Sequence, residues 1–253
     1  MDAAYTHAML RQFPAALKLY DRVLDVTPNN PDVMAAKAAI YQAEGDLGEA
    51  AKLLAEVNAQ TASHLAFRIK TTQLRLERNY GDAARLLQTR LAQFHFASEI
   101  DKALTQLMLA LTQRLAGDMV GAKVTAEEAR NTLLQLSKNE PDNSDLAGLL
   151  SLANAALGEK DSALTEIERA IMLLPSAKDR VEGPTREESL ALIQMTFGEN
   201  SRAISTLAQL LQTPYGSWFY NPPVTPPLLS LDPFWDPLRT DPAFQKLCEE
   251  KQP

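Results

Sequence analysis

One motif of about ten residues recurs along most of this chain, and no other feature constrains its fold as strongly. The stretch Gly45–Leu54 (GDLGEAAKLL) returns thirty-three residues later as Arg78–Leu87 (RNYGDAARLL). Shorter relatives begin at Gly117, Gly158 and Gly198. Repetition at this period indicates a stack of similar small units, because one such unit cannot bury its apolar face alone.

The copies can be aligned on an alanine that all of them share. The six alanines are Ala16, Ala50, Ala83, Ala122, Ala163 and Ala203, at spacings of 34, 33, 39, 41 and 40 residues. Twelve residues before each of them stands another small residue, namely Ala4, Ala38, Thr71, Ala110, Ser151 and Ala191. Two small residues at such positions allow two antiparallel helices to approach closely. Each unit is therefore predicted to be a helix, a turn and a second helix.

Glycine marks the predicted turn in four of the six repeats. Gly45, Gly117, Gly158 and Gly198 are each followed by Asp or Glu. Glycine adopts the left-handed conformation that ends a helix, and an acidic residue is favourable at the start of the next one. The extra residues of the last three repeats predict longer helices or loops around residues 137–144 and 176–185.

These small, large and turn positions resemble the tetratricopeptide repeat family over residues 1 to about 213. The resemblance implies an all-α fold, a right-handed superhelical α-solenoid of about six helix-turn-helix repeats. It also implies a non-enzymatic protein-interaction module that binds a partner segment in a concave groove.

The remaining residues, 214–253, predict a different kind of structure. Eight of the fifteen prolines lie between Pro214 and Pro242, and both tryptophans are here. Prolines keep such a segment extended, so its aromatic and leucine side chains are expected to cover the last helices as a cap. Three Asp-Pro pairs, at 232–233, 236–237 and 241–242, each predict a capped helix start. The last predicts a helix from Pro242 to about Glu250.

The run from Leu231 to Phe244 (LDPFWDPLRTDPAF) resembles a tail found after tetratricopeptide arrays in bacterial multidomain signalling proteins. In those proteins the array follows a kinase, a nucleotide cyclase or a winged-helix domain. The alternative function is therefore a C-terminal regulatory or sensory domain of a larger bacterial signalling protein.

Charge and composition exclude several other classes of function. The formal charge is −7, with acidic and basic residues interleaved, so no basic stripe favours nucleic acid. No segment has the roughly 20 apolar residues that span a bilayer. Cys248 is the only cysteine, so no internal disulfide is expected. We expect a cytoplasmic chain, or a periplasmic one if it is a fragment of a membrane-anchored protein.

Catalytic, metal and cofactor sites are not predicted. His7, His64 and His95 are far apart and belong to no metal-binding motif. The acid pairs Glu127-Glu128 and Glu187-Glu188 are interpreted as solvated helix faces, because adjacent helical residues point in different directions. The chain is therefore not expected to be an enzyme, and no cofactor is expected.

The resemblance places the peptide-binding groove on the first helices of the repeats. The residues that it carries over are Gln42, Leu65, Arg68, Thr72, Arg75, Leu107, Leu111 and Arg114. The three arginines favour a carboxylate-bearing partner. Alternatively, each arginine pairs with an acid of a neighbouring helix. Replacement of Arg68 and Arg75 by Glu is expected to abolish binding without loss of helicity, and a homodimer through the first repeat is a further expectation.

Overall fold

The computed structural model describes residues 2–250, which form fourteen α-helices and one 3-10 helix. The helices are α1 Asp2–Met9, α2 Phe13–Val26, α3 Pro31–Glu44, α4 Leu47–Leu53, α5 His64–Leu76, α6 Tyr80–Gln93, α7 Glu99–Leu115, α8 Met119–Asn139, α9 Ser144–Leu157, α10 Lys160–Leu173, α11 Gly183–Thr196, α12 Asn200–Gln212, α13 Pro226–Leu231 and α14 Pro242–Glu249. The 3-10 helix is Pro233–Leu238. Within residues 2–250 there is no β-strand, only an isolated bridge between Ser217 and Asn221. The predicted all-α fold is confirmed.

The repeat positions are the most buried positions of the fold. All six aligned alanines are at most 1% exposed, and the small residues twelve positions earlier are at most 4% exposed. Any larger side chain at these positions would have to push two helices apart. The spacing of small residues therefore identified the helix crossings correctly.

Two compact units emerge from the contacts along the chain. Of the described residues, the first unit contains 2–78 and 207–250, and the second contains 79–206. In the first, α2 packs on α1 and α3, and α4 packs on α3 and α5. In the second, α8 packs on α7 and α9, and α10 packs on α9 and α11. The predicted division at residue 213 follows the repeat pattern, whereas these units group the C-terminal residues with the first repeats.

Side-chain caps fix the starts of seven consecutive helices, α3 to α9. The capping residues, each of which accepts a hydrogen bond from a backbone N–H of the first turn, are Asn30, Asp46, Ser63, Asn79, Ser98, Asp118 and Asn143. Such a cap satisfies donors that have no partner inside the helix. The helix boundaries are therefore encoded locally.

The turn glycines have the left-handed backbone that the sequence predicts. Gly45, Gly117, Gly158 and Gly198 have φ between 79° and 85°. In the first and third repeats the same turn position, five residues before the aligned alanine, is occupied by Arg11 and Arg78 with φ of 56° and 58°. A non-glycine residue in this region carries a conformational penalty, so these two arginines need a separate explanation.

A matched pair of glycine substitutions tests this assignment. Gly158→Ala is expected to lower the free energy of unfolding by about 1 kcal/mol, because φ is 81° there. Gly148→Ala is expected to raise it by about 0.5–1 kcal/mol, because Gly148 lies inside α9 and an added Cβ meets nothing within 4 Å. Urea unfolding of both variants measures the difference. Equal effects of the two substitutions would contradict the assignment.

Several local predictions can be compared directly with the structure. The extra residues of the fourth repeat lengthen α8 to 21 residues, and α14 begins at Pro242 as predicted, with Phe244 buried. The interpretation of Glu187-Glu188 as a solvated pair was wrong, since Glu188 is fully buried in α11. None of the described helices combines the length and apolarity needed to cross a membrane.

Candidate binding groove

Helix α5 carries four of the predicted groove residues. Three of them contact residues 213–250, which we call the C-terminal segment. Arg68 donates a hydrogen bond from Nη1 to the carbonyl oxygen of Trp218. Thr72 donates from Oγ1 to the carbonyl oxygen of Phe219 at 3.1 Å. The predicted groove surface on α5 is therefore covered by a turn of the same chain, residues 217–221.

The third residue, Arg75, forms a buried ion pair with Asp232. Its Nε and Nη2 donate to the carboxylate at 3.1 and 2.9 Å, and Asp232 is 0% exposed. The carboxylate also accepts from the Tyr220 hydroxyl at 2.8 Å and from the Phe234 N–H at 2.9 Å. The guanidinium lies over the Phe234 ring, 4.3 Å from its centroid. Both charges are thus satisfied, which a buried pair requires.

The alternative from the sequence was that each groove arginine pairs with an acid of a neighbouring helix, and Arg75 does form an ion pair with an acid. The acid does not come from a neighbouring helix, however, but from the C-terminal segment 157 residues away. The expectation that Arg75→Glu leaves the helices intact is therefore revised, because it would place two buried carboxylates together.

Arg11 holds the beginning of the C-terminal segment. Its Nη2 donates to the carbonyl oxygens of Leu210 at 2.8 Å and Val224 at 3.1 Å, and its Nη1 donates to that of Thr213 at 3.0 Å. Leu210 lies in the last turn of α12, where carbonyl groups lack partners inside the helix and a cation is favourable. These contacts explain why an arginine stands at this turn despite its positive φ.

Arg78, the second arginine at a turn position, pairs with Asp236 of the same segment. Its two Nη atoms donate to the carboxylate at 2.6 and 2.8 Å. Burial raises the pKa of the Asp236 carboxyl, but hydrogen bonds from Arg78 and Arg239 outweigh it and lower that pKa overall. The prediction that Asp236 caps a helix start was wrong, because Pro237 lies inside the 3-10 helix and the carboxylate serves these arginines instead.

The apolar side chains of the C-terminal segment belong to the core. Eight of them are at most 1% exposed: Tyr215, Tyr220, Val224, Leu228, Leu229, Trp235, Leu238 and Phe244. The sequence predicted that this segment covers the last helices, but it also contacts an early one. α13 packs on α3, and Thr225 donates a hydrogen bond to the carbonyl oxygen of Ala43 in α3. Burying one such side chain contributes about 1.5–3 kcal/mol. The C-terminal segment accordingly contributes to the hydrophobic core.

Two further predicted groove residues join helices to each other. Gln42 is buried and donates to the carbonyl oxygen of Ile69 at 3.1 Å and to Oε1 of Gln73 at 2.9 Å, which connects α3 to α5. Leu65 packs against the apolar cluster that α3, α4 and α5 share. Neither side chain is exposed, so their evident role is to align the first helices.

The last three predicted residues lie on α7 in the second unit. Leu107 is buried, whereas Leu111 and Arg114 are half-buried. Arg114 donates from Nη1 to the carbonyl oxygen of Ala156 at 2.9 Å, and no carboxylate within residues 2–250 forms an ion pair with it. Half-buried apolar side chains recur along this helix one turn apart, at Ile100, Leu104, Met108, Leu111 and Leu115. α7 therefore combines an apolar stripe with a cation that lacks a counter-charge.

In the part of the chain that the structure describes, no three His, Cys, Asp or Glu side chains are grouped so that they could hold a metal ion. Cys248 is half-buried, and burial raises the pKa of its thiol.

A comparison with family models matches residues 8–71 to the tetratricopeptide repeat. This match reaches from the first repeat into the third, over the helices whose small residues are buried. Residues 8–71 therefore match the tetratricopeptide repeat. Repeats of this family are typically non-catalytic protein-interaction scaffolds, so the match supports a protein-interaction module.

Two solved structures that are similar to this chain can be named. The structure of Naa15/Naa10 bound to HypK-THB has 21% identity, covering 81% of this chain and 31% of the matched chain, with a TM-score of 0.36. Yeast Tom70 has 13% identity, covering 95% of this chain and 67% of its own, with a TM-score of 0.30. The chain thus spans less than a third of the first matched chain. No curated protein matches the chain, and the link to bacterial signalling proteins stays a prediction.

Proposed function

We propose that this protein is a non-enzymatic interaction module that binds an acidic segment of a partner protein on α7. Arg114 carries the proposal, because it is a half-buried cation without a carboxylate partner within the described residues. Beside it, Leu111 and the rest of the half-buried stripe offer apolar contact.

The repeat alignment indicates what such an arginine can bind. Arg75 and Arg114 stand at the same repeat position, each eight residues before the aligned alanine. In α5 the arginine at this position binds the carboxylate of Asp232, in the C-terminal segment, through two hydrogen bonds from Nε and Nη2. Arginine favours carboxylates in this forked geometry, so the same position of the next repeat is suited to an Asp or Glu of a partner.

Neighbouring positions suggest that the two helices select different segments. Arg68 and Thr72 of α5 bind backbone carbonyl groups, whereas α7 has Leu107 and Leu111 at the equivalent positions. Leu107 is buried, so Leu111 is the one of the two that a partner can contact. A segment bound on α7 would therefore present apolar side chains instead of bare backbone. An amphipathic acidic segment meets both requirements.

Selection from a displayed peptide library tests this proposal with the full chain as bait. We expect acidic, leucine-rich peptides to be enriched, and Arg114→Glu to reduce their retention by on the order of tenfold or more. Arg114→Lys should retain part of the binding, since the charge remains but the fork is lost. Retention unchanged by Arg114→Glu would overturn the proposal.

The matched control is Arg85→Glu on α6. Arg85 is exposed and pairs only with Asp82 one turn away, so its reversal changes the net charge equally without touching α7. Circular dichroism and thermal unfolding of all baits verify that the variants are folded.

A further inference from the structure

Helix α8 carries an unusual share of exposed apolar side chains. Of the seven large apolar side chains that are exposed among the described residues, four lie on α8. They are Met119, Val120, Val124 and Leu134, which are 52%, 80%, 54% and 42% exposed. Single apolar side chains are normal on a protein surface, whereas several on one helix indicate a contact surface.

The other repeats show that this apolar character is specific to the fourth repeat. The position of Val124, two residues after the aligned alanine, is exposed in all six repeats. In the other five it is polar, namely Lys18, Lys52, Arg85, Thr165 and Ser205. The position of Val120, two residues before the alanine, is occupied elsewhere by Pro14, Gly48, Gly81, Asp161 and Ser201. The packing of a repeat therefore does not require valine at either position, which points to a contact outside the repeat.

The length of α8 extends this surface. α8 has 21 residues, whereas the second helices of the other repeats have 7 to 14. Leu134 lies in the additional turns. Because helical residues are about 100° apart, one face of α8 carries six side chains that are exposed or half-buried. These residues, which we call the α8 stripe, are Val120, Val124, Glu127, Asn131, Leu134 and Lys138.

The α8 stripe is complementary to itself when two copies run antiparallel. With a two-fold axis beside residue 129, Val124 would face Leu134 of the second copy, and Glu127 would face its Asn131. Val120 would lie on the aliphatic stem of the Lys138 side chain. Apolar groups thus meet apolar groups, and each carboxylate meets an amide that can donate a hydrogen bond. Two-fold symmetry makes every one of these contacts twice.

A parallel arrangement of the two helices fits less well. In it each side chain of the stripe would face its own copy, so that Glu127 would meet Glu127 and Lys138 would meet Lys138. Like charges repel across an interface, and a polar residue in a helix pair favours the register that satisfies it. The antiparallel arrangement also places opposite ends of the two helix dipoles side by side.

We propose that this protein forms an antiparallel homodimer through the α8 stripe, with Val124 of each copy packed on Leu134 of the other. The contact is separate from the binding of an acidic segment on α7. It also replaces the first repeat, where the sequence predicted a dimer, by the fourth. One helix pair is smaller than a standard interface, so the dimer is reversible, with a dissociation constant on the order of 10 μM.

Sedimentation velocity of the full chain over a series of concentrations measures this dimer. Val124→Asp should raise the dissociation constant by on the order of tenfold or more, because symmetry places the added charge at the interface twice. Val26→Asp is the matched control, since Val26 is 81% exposed and belongs to the first repeat. Both variants should remain folded, because exposed substitutions have small effects. A chain that stays monomeric, or one that only Val26→Asp dissociates, would overturn the proposal.

Engineered cysteines test the register and the direction of the helix pair. The background is Cys248→Ser, which removes the only native cysteine. Val124→Cys and Leu134→Cys together should give a disulfide-linked dimer under mild oxidation. Either substitution alone should give none, because the two copies of one position would be ten residues apart along the helix axis, about 15 Å, which is too far for a disulfide. A linked dimer of a single variant would indicate a parallel pair, and the absence of linkage in the double variant would contradict the register, so either result rejects the proposed contact.

Discussion

A chain that ends at Gln212 is expected to lose the fold of residues 1–78. In the intact protein the C-terminal segment buries eight large side chains to 1% exposure or less. Each contributes about 1.5–3 kcal/mol, so the set is comparable to the whole net stability of a typical domain, about 5–15 kcal/mol. Removal of the segment also removes Asp232, the buried counter-charge of Arg75.

Hydrogen exchange followed by mass spectrometry measures this effect region by region. Amides of α3 and α5 should exchange far faster in the shortened chain than in the full one. Within the full chain, Trp235→Ala should lower the free energy of unfolding by about 3–5 kcal/mol, whereas the exposed Lys246→Ala should change it by about 0.5 kcal/mol or less. Undiminished protection of α3 and α5 after the truncation would show that the segment is dispensable.

The helical repeats could be predicted because their information is local and repeated. A small residue at a helix crossing, a glycine at a turn and a capping residue at a helix start each act within a few positions. Because the pattern occurs six times, it remains clear even where single positions deviate from it. Thr71 and Ser151 replace alanine at the small position, and both are still buried.

The course of the C-terminal segment could not be predicted in the same way. Its prolines limit it to short helices without a repeat pattern. The contact that anchors it joins Arg75 to Asp232, which lie 157 positions apart. Nothing in the spacing of either residue indicates the other. The groove residues Arg68, Thr72 and Arg75 were therefore identified as a surface that binds polypeptide, but the polypeptide is the chain itself.

One signal for these contacts was present in the sequence. Four repeats have glycine at the left-handed turn position, whereas the first and third have Arg11 and Arg78. An unfavourable backbone conformation at an arginine indicates that its side chain makes a compensating interaction. Both of these arginines hold the C-terminal segment.

The buried pair of Arg75 and Asp232 should dominate the electrostatic part of the stability. Arg75→Met leaves a carboxylate without its counter-charge at 0% exposure, and Asp232→Leu leaves a buried guanidinium without one. Each single substitution is expected to lower the free energy of unfolding by about 3–5 kcal/mol. The double variant should lose less than the sum, because neither charge remains and the side chains are of similar apolar volume.

The pair of Arg78 and Asp236 provides the matched control. It also joins one of the first repeats to the C-terminal segment, but its side chains are 47% and 37% exposed. Removal of Arg78 should therefore change the free energy of unfolding by about 1 kcal/mol or less. Urea unfolding of the Arg75→Met, Asp232→Leu, double and Arg78→Met variants gives the full comparison. If Arg75→Met is no more damaging than Arg78→Met, burial does not make this ion pair the anchor of the segment, and apolar packing alone holds it in place.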